Sequence, residues 1–450
     1  MVASVSARFR RTLSFLDRLV DWEREAGLVF TEEVIRLDLF REALARIGDP
    51  HLAYRTIIVA GTKGKGSTSL LIARLLSAHG IRTGLFTSPH LSNVRERIRL
   101  DNRPIGREDF ADVLETLRDS FRYFEGMGES RTFFETMAAA AFLHFRRVGV
   151  EAAVLEVGLG GRLDATNVAE PDLSVITPIS RDHVRILGPN LIAIAGEKAG
   201  VIRPGRPLLI GKQRPRVVRF LRERAEAAGC PVQLYGEDFE GRFLGVDRRG
   251  TWFDYVERGA PPERIRLGLL GEHQAWNGAT ALAALPLFGV LPDRELVRKA
   301  LRCSIWAGRG EFLSRNPPVL LDGAHNGDSA EALARLVREL FPGERPVLVF
   351  GGSRGKDFPT MFRRLLPAVS DVILTESAHP RAAPASELER ILRRVDGGGR
   401  RVRIVTDARR AVVEALRGSR GRPVLITGSL YLAGRVRPRF GRLLAESRRA

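Results

Sequence analysis

Runs of four or five consecutive apolar residues recur along the first half of the chain, separated by longer stretches with helical spacing. Thr56 to Ala60 reads as a buried strand, and Ser67 to His79 as a helix stopped by Gly80 in a C-cap position. Gly84 to Thr87 is a short strand, and Phe134 to Val148 an alanine-rich apolar helix closed by Gly149. Ala152 to Glu156, Leu173 to Thr177 and Pro207 to Ile210 are further strands. This alternation is the rhythm of a mostly parallel α/β sheet. From Val232 to about Arg266 the texture turns short, polar and glycine-punctuated, which predicts an antiparallel β insertion. Helical spacing resumes from Asn277 to Leu287. A second α/β unit begins near Gly308, with strands at Pro318 to Leu321, Pro346 to Phe350, Asp371 to Leu374, Arg403 to Val405 and Pro423 to Ile426. The expected organisation is a larger domain over residues 1–305 and a smaller, Rossmann-like one over 306–450. There is no internal repeat, and Gly397 to Gly399 is a loop.

Length and composition agree with two soluble domains: 450 residues, 44% hydrophobic and 28% charged. No apolar run approaches the roughly 18 residues of a membrane span, so no membrane partner is expected. Cys230 and Cys303 are far apart, which argues against a disulfide framework or a zinc site and predicts two buried free thiols in a reducing cytoplasm. Met1 to Leu16 is rich in Arg and Ser like a transit peptide, but Asp17, Asp21, Glu23 and Glu25 follow at once. The segment reads as a first helix of an untargeted cytoplasmic protein.

A net charge of +19 admits a nucleic-acid partner or an arginine-biased solvated surface that attracts small anions. With 4 Trp and 5 Tyr and no interleaved aromatic–basic stripe, stacking on bases is poorly served, and no nucleic-acid partner is expected. Of 72 basic residues the only lysines are Lys63, Lys65, Lys198, Lys212, Lys299 and Lys356. A lysine retained in such a chain marks a place for a compact point charge, or for an amine able to become neutral.

Four segments carry candidate chemistry. Gly61 to Ser67 (Gly-Thr-Lys-Gly-Lys-Gly-Ser) lies between a strand and a helix, where backbone N–H groups cradle phosphates. Lys65 is placed to neutralise phosphate and Ser67 to reach Mg²⁺, although Gly66 intervenes where the usual pattern puts Ser or Thr directly after Lys. Glu156, ending an apolar strand, is positioned as a metal-holding carboxylate, and the glycines after it suit a close backbone approach to a ligand. Asp182–His183 follows the next strand; His183 is a candidate ligand, and Lys198 nearby makes sense beside a metal only if paired with phosphate or chemically converted. In the second unit, Asp322 is a candidate for a ribose or Mg²⁺ contact and His325 for phosphate.

Together these residues resemble one family, the folylpolyglutamate and dihydrofolate synthases, relatives of the Mur peptidoglycan ligases. The similarity runs from about Phe30 to the C-terminus and is densest between residues 56 and 205. It is carried by Ala60 to Ser67, Thr87 to Leu91 with Arg95 to Ile98, Thr132 to Glu135, Asp182–His183, Glu197 to Ile202, His273–Gln274 with Asn277, Gly308–Arg309 and Asp322 to Asn326. The string Glu156 to Asn167 is the most specific. The resemblance implies that Gly64, Lys65, Gly66 and Ser67 hold ATP, and that Ser88 and Glu156 bind a first Mg²⁺. It implies a second Mg²⁺ on His183 and a carbamylated Lys198, and nucleotide contacts from Asn277, Arg309 and Asp322. Thr132, Phe133, Phe134 and Glu135, with Leu163, Asp164 and Ala165, would face a pterin-bearing substrate. Lys63 departs from the family's usual Asn, and Arg181 from a smaller residue.

The activity so implied joins L-glutamate to dihydropteroate or a reduced folate through an acyl phosphate, with ATP consumed, in a cytoplasmic monomer. Three readings stand beside it. A sister Mur-type ligase on another acid is opposed by the Glu156 to Asn167 string. A P-loop nucleic-acid-binding protein is opposed by Gly66 and the scarce aromatics. An inactive ATP-binding relative is opposed by the complete set of candidate ligands.

Overall fold

A computed structural model describes residues 2–21, 35–125, 131–377 and 379–448. Eight strands form the first sheet: β1 (Arg55–Ala60), β2 (Thr83–Phe86), β3 (Ile98–Leu100), β4 (Arg103–Pro104), β5 (Ala152–Glu156), β6 (Leu173–Ile176), β7 (Leu208–Ile210) and β8 (Val232–Leu234). Their order is β4-β3-β2-β5-β1-β6-β7-β8. Strands β2, β5, β1, β6, β7 and β8 run parallel; β3 and β4 are antiparallel at one edge. The central strands are buried on both faces, which is why they read as continuous apolar runs and not as alternating ones.

On one face, helix Lys65–Ala78 packs with helix Glu272–Leu287 through Leu71, Leu75, Ala279 and Leu282. On the other, helix Phe133–Arg147 joins Val2–Leu16 and Arg107–Glu125 around Phe9, Phe110, Phe142 and Phe145. The N-terminal segment is thus a core-forming helix, with Arg8 paired to Asp112 at 2.6 Å. Glu23, Glu25 and Phe30 lie outside the described residues. Among the described residues no helix is long and apolar enough to cross a membrane.

The predicted β insertion is a three-stranded antiparallel sheet, β9 (Phe239–Asp247), β10 (Gly250–Glu257) and β11 (Glu263–Leu267), in the order β11-β10-β9. It begins later than expected: Val232–Leu234 pairs in parallel with β7 and extends the large sheet. The following helix starts earlier than Asn277, at Glu272, and so includes His273 and Gln274.

The C-terminal sheet comprises β12 (Glu311–Arg315), β13 (Pro318–Leu321), β14 (Val347–Phe350), β15 (Val372–Glu376), β16 (Val402–Asp407) and β17 (Val424–Thr427), in the order β12-β13-β17-β14-β15-β16. Five strands are parallel, and β12 is an antiparallel edge. The sequence reading missed β12, a half-buried segment whose register is broken between Phe312 and Ser314, so it carries no clean period of two.

The thiols are free, but the expectation that they are buried is corrected. Cys303 caps the C-terminus of helix Arg294–Arg302 and is exposed, and Cys230 is half-buried after the Gly229 turn.

Candidate active site

Parallel register sets the site. Val59 lies opposite Glu156 and Ala60 opposite Ile176, so the loop after β1, the end of β5 and the segment after β6 open side by side at the carboxyl edge. The carboxyl ends of β13 and β17 face the same cleft through Asp322, His325 and Ser429, and the cleft encloses about 1250 Å³.

The loop's glycines are dictated by what presses on them. Gly64, at φ 83°, caps the helix that begins at Lys65, and a Cβ there would lie 2.3 Å from Asn277 Oδ1. Asn277 is itself buried and donates from Nδ2 to Gln274 Oε1 at 2.9 Å. Helix Glu272–Leu287 therefore braces the loop, with Asn277 set against Gly64. A Cβ on Gly66 would come within 3.2 and 3.3 Å of the Glu156 carboxylate oxygens. A side chain on the residue that interrupts the usual Lys–Ser pair would press on that carboxylate, which would have to give by a few tenths of an ångström. Gly64→Ala is expected to lower nucleotide turnover at least tenfold, because both the left-handed backbone and the Asn277 contact resist a side chain. Rates of ADP formation check this; an unchanged rate would mean that the loop tolerates displacement from Asn277.

Glu156 is 5% exposed and, among the described residues, accepts one hydrogen bond, from Ser88 N–H at 3.1 Å. Burial pushes its carboxyl up to about 7, against the pull of Lys65, the Ser88 N–H, Arg309 and Arg97. A carboxylate this poorly satisfied needs a cation to stay ionised near neutral pH. Ser67 is 8% exposed and its Oγ lies 3.5 Å from Gln274 Nε2.

His183 faces the cleft in a left-handed conformation (φ 48°). Its side chain is 55% exposed; partial desolvation at the cleft wall lowers its pKa, Asp182 opposes that, and Lys356, Lys65 and Lys198 reinforce it, which favours the neutral, metal-binding imidazole. Lys198 closes helix Leu191–Ala199 and is 3% exposed, beneath the cleft surface. The glycine loop after β5 is drawn onto this helix end, with Arg162 N–H donating to Glu197 O at 2.8 Å. Among the described residues, the Lys198 ammonium has one polar contact, 3.5 Å to Gly160 O. Burial and then Lys65 lower its pKa to about 7, against Asp182, Asp164 and Glu197.

The residues expected to face the second substrate divide sharply. Thr132 caps helix Phe133–Arg147 and exchanges hydrogen bonds with Glu135, at 3.1 Å from Glu135 N–H and 2.8 Å to Glu135 Oε2. Arg131 also pairs with Glu135 at 3.4 Å, almost fully buried. Phe133 turns into the core, where the Arg97 guanidinium lies 5.0 Å from its ring, so it does not face the cleft. Phe134 does, packed edge-on against Phe86. Leu163, Asp164 and Ala165 line the cleft, but Asp164 is also a local cap, accepting from Leu159 N–H at 2.9 Å and Thr166 N–H at 3.0 Å.

On the C-terminal wall, Asp322 accepts N–H bonds from Gly310 and Ala324, each at 2.8 Å, so it first organises the turn that presents Arg309. Burial lowers the His325 pKa to about 4, and Nδ1 lies 2.9 Å from Gly323 O. A carbonyl only accepts, so Nδ1 carries the proton and Nε2 offers a lone pair. In this state the ring offers an acceptor to a hydroxyl or amine, and a contact with phosphate calls for a second proton on Nε2.

Several lining residues escaped the sequence reading. Lys356 and Arg381 come from loops of the C-terminal sheet, and Trp306 stands under the Arg99 guanidinium at 5.3 Å. Lys63, noted only as a departure, pairs with Asp182 at 3.3 Å. The scarcity of lysine was the available signal: Lys63, Lys65, Lys198 and Lys356 converge around Asp182 and His183.

Comparison with known proteins fits this geometry. Residues 59–285 match the Mur ligase middle domain, and residues 308–430 the Mur ligase glutamate ligase domain. The chain is 33% identical over 418 residues to the dihydrofolate synthase/folylpolyglutamate synthase of Bacillus subtilis, covering 90% of this chain and 94% of that one. It superposes on the folylpolyglutamate synthase of Mycobacterium tuberculosis complexed with ADP and AMPPCP with a TM-score of 0.88, at 31% identity over 97% of this chain and 99% of that one. The E. coli FolC structure in complex with DHPP and ADP gives a TM-score of 0.81 at 26% identity, over 98% of each chain.

Proposed function

The chain belongs to the folylpolyglutamate synthase and dihydrofolate synthase family of Mur-type ligases, and from that premise we propose how its cleft performs ATP-dependent glutamate ligation. The observation that carries the reading is the meeting, in one cleft, of a phosphate loop, a buried carboxylate one strand away and a polar wall from the second sheet. The carboxylate of dihydropteroate or a reduced folate attacks the γ-phosphorus of ATP; the bond to the β–γ bridging oxygen breaks and ADP leaves. The amine of L-glutamate then attacks the acyl carbon, phosphate departs with the C–O electron pair, and the amine proton passes to a base. Lys65 and the N–H groups of the helix beginning at Lys65 stabilise charge on the transferred phosphoryl group. The two walls align the three reactants, which removes much of the entropic barrier.

Glu156, Ser67 and Ser88 offer hard oxygen donors that fit Mg²⁺, and the single hydrogen bond to Glu156 leaves lone pairs for it. A second Mg²⁺ would rest on His183 and a carbamate of Lys198, completed by substrate oxygens, since among the described residues no cluster of three His, Cys, Asp or Glu side chains offers a ready-made cage. Bound there, the ions would neutralise phosphate charge. Phe134, Leu163 and Ala165 make the apolar end that suits a pterin. The domain boundary is placed between residues 305 and 306, and the enzyme is read as a cytoplasmic monomer without a nucleic-acid partner.

The deciding experiment offers dihydropteroate and a reduced monoglutamyl folate separately, each with ATP, Mg²⁺ and glutamate, and weighs the products. A mass gain of one glutamyl residue on either supports the reading; ADP formation with no glutamylated product on both overturns it. The basic surface gives a separate prediction. A random RNA oligonucleotide is expected to bind weakly at physiological salt and to leave turnover unchanged. Tight, sequence-dependent binding in a salt titration would reassign the charge.

A further inference from the structure

The phosphate loop and the segment that carries His183 are laced together beyond the end of the sheet. Thr177 N–H donates to Ala60 O at 2.8 Å, and Thr62 and Lys63 N–H both donate to Pro178 O at 3.0 Å. Thr62 Oγ1 lies 3.2 Å from Ser180 O. The last rung is ionic: Lys63 Nζ donates to Asp182 Oδ2 at 3.3 Å, while Asp182 Oδ1 accepts the His183 N–H at 3.0 Å. His183 sits at φ 48°, ψ 37°, a conformation that a side-chain-bearing residue keeps only where its surroundings hold it. On its C-terminal side the turn is closed by Ile186 and Leu187 N–H, which donate to His183 O at 2.8 and 2.9 Å, and is anchored by the buried Leu187, while Val184 and Ile186 are 42% and 39% exposed. On its N-terminal side the hold comes through Asp182, and among the described residues Lys63 is the phosphate-loop side chain that pairs with that carboxylate.

We propose that Lys63 is a positioning residue for the ligase reaction, holding His183 in register with the phosphate loop through Asp182. Asp182 also places a carboxylate on the wall of a cleft that must admit the phosphates of ATP, and the Lys63 ammonium offsets that charge. A lysine does this and a short amide cannot, because the stem must span from the loop to the next segment. Lys63 acts here through Asp182 and not on the phosphate, which separates it from Lys65.

This inference rests on the ligase reading, so its test includes an arm that needs no substrate. Lys63→Met keeps the stem and removes the charge. Amide hydrogen exchange over residues 181–187 is expected to speed up at least tenfold, with an unchanged melting temperature. In turnover, kcat is expected to fall at least tenfold while the Kd for ADP stays within threefold. Lys63→Arg should recover to within threefold of wild type. Asp182→Asn should reproduce Lys63→Met, and the double variant should be no worse than either single one, because both remove the same link. Unchanged exchange in Lys63→Met overturns the proposal, as does a tenfold weaker Kd for ADP with normal kcat, which would put Lys63 on the phosphate. Multiplying effects in the double variant also overturn it. Failure of the wild-type chain to glutamylate any folate would instead sink the ligase reading, and leaves the exchange result to judge Lys63.

Discussion

Lys65→Ala is expected to fold with an unchanged melting temperature and to release ADP at well under a tenth of the wild-type rate. The residue opens helix Lys65–Ala78 at the cleft wall, where alanine is at least as good a helix former, so the fold does not depend on it. Its ammonium is close enough to Glu156 to draw that carboxyl down against burial, which places it at the inner end of the phosphate loop. Removing one preorganised donor from a developing charge typically lowers kcat by about 10² to 10³. Retention of a tenth of the rate would correspond to about 1.4 kcal/mol, too little for a cation on the transferring phosphoryl group. An ADP-release assay above that level, on folded protein, would remove Lys65 from the proposed mechanism.

Lys198→Arg is expected to be as inactive as Lys198→Ala. The lysine is 3% exposed at the end of a helix, with one long contact to Gly160 O. Burial and Lys65 hold its pKa near 7, so a neutral amine is available at physiological pH. Such an amine can add to CO₂, forming an N–C bond and releasing a proton, and the product is an anionic oxygen donor. An ammonium beside Lys65 and a divalent cation would be repelled; a carbamate would bind the metal. Arginine retains the positive charge and cannot make the carbamate. A short carboxylic acid such as acetate is expected to restore part of the Lys198→Ala activity by standing in for the missing group. Near-normal turnover of Lys198→Arg would mean that positive charge is all the position requires, and the carbamate would have to be abandoned.

The parts of the site legible in sequence are those in which one residue's chemistry and its local position coincide. Glu156 at the end of an apolar strand, the glycine loop before a helix and Asp182–His183 after a strand all follow from the rule that ligands gather at the carboxyl edge of a parallel sheet. Where several uses compete for one residue type, sequence was a weaker guide. Thr132 and Glu135 satisfy each other as a capping box, Asp164 caps the 3₁₀ turn Ala165–Val168, and Asp322 holds the turn before it. Phe133 and Phe134 look alike in sequence, but adjacent helix positions point about 100° apart, and only one reaches the cleft. The tautomer of His325 likewise appears only once its Nδ1 is seen against Gly323 O.

Sequence by itself determined the parallel α/β character, the phosphate loop, the small insertion and most of the candidate ligands, because periodicity, helix ends and glycine turns are encoded over a few neighbouring residues. Tertiary structure alone decided which side chains converge. The carboxylate that crowds Gly66 belongs to Glu156, ninety residues away, and the side chain that demands Gly64 belongs to Asn277, more than two hundred away. The Lys63–Asp182 pair exists because β1 and β6 are neighbours in the sheet although far apart in the chain. Burial and surrounding charge, which depend on every element packed around a group, set the ionisation of Glu156, Lys198 and His325.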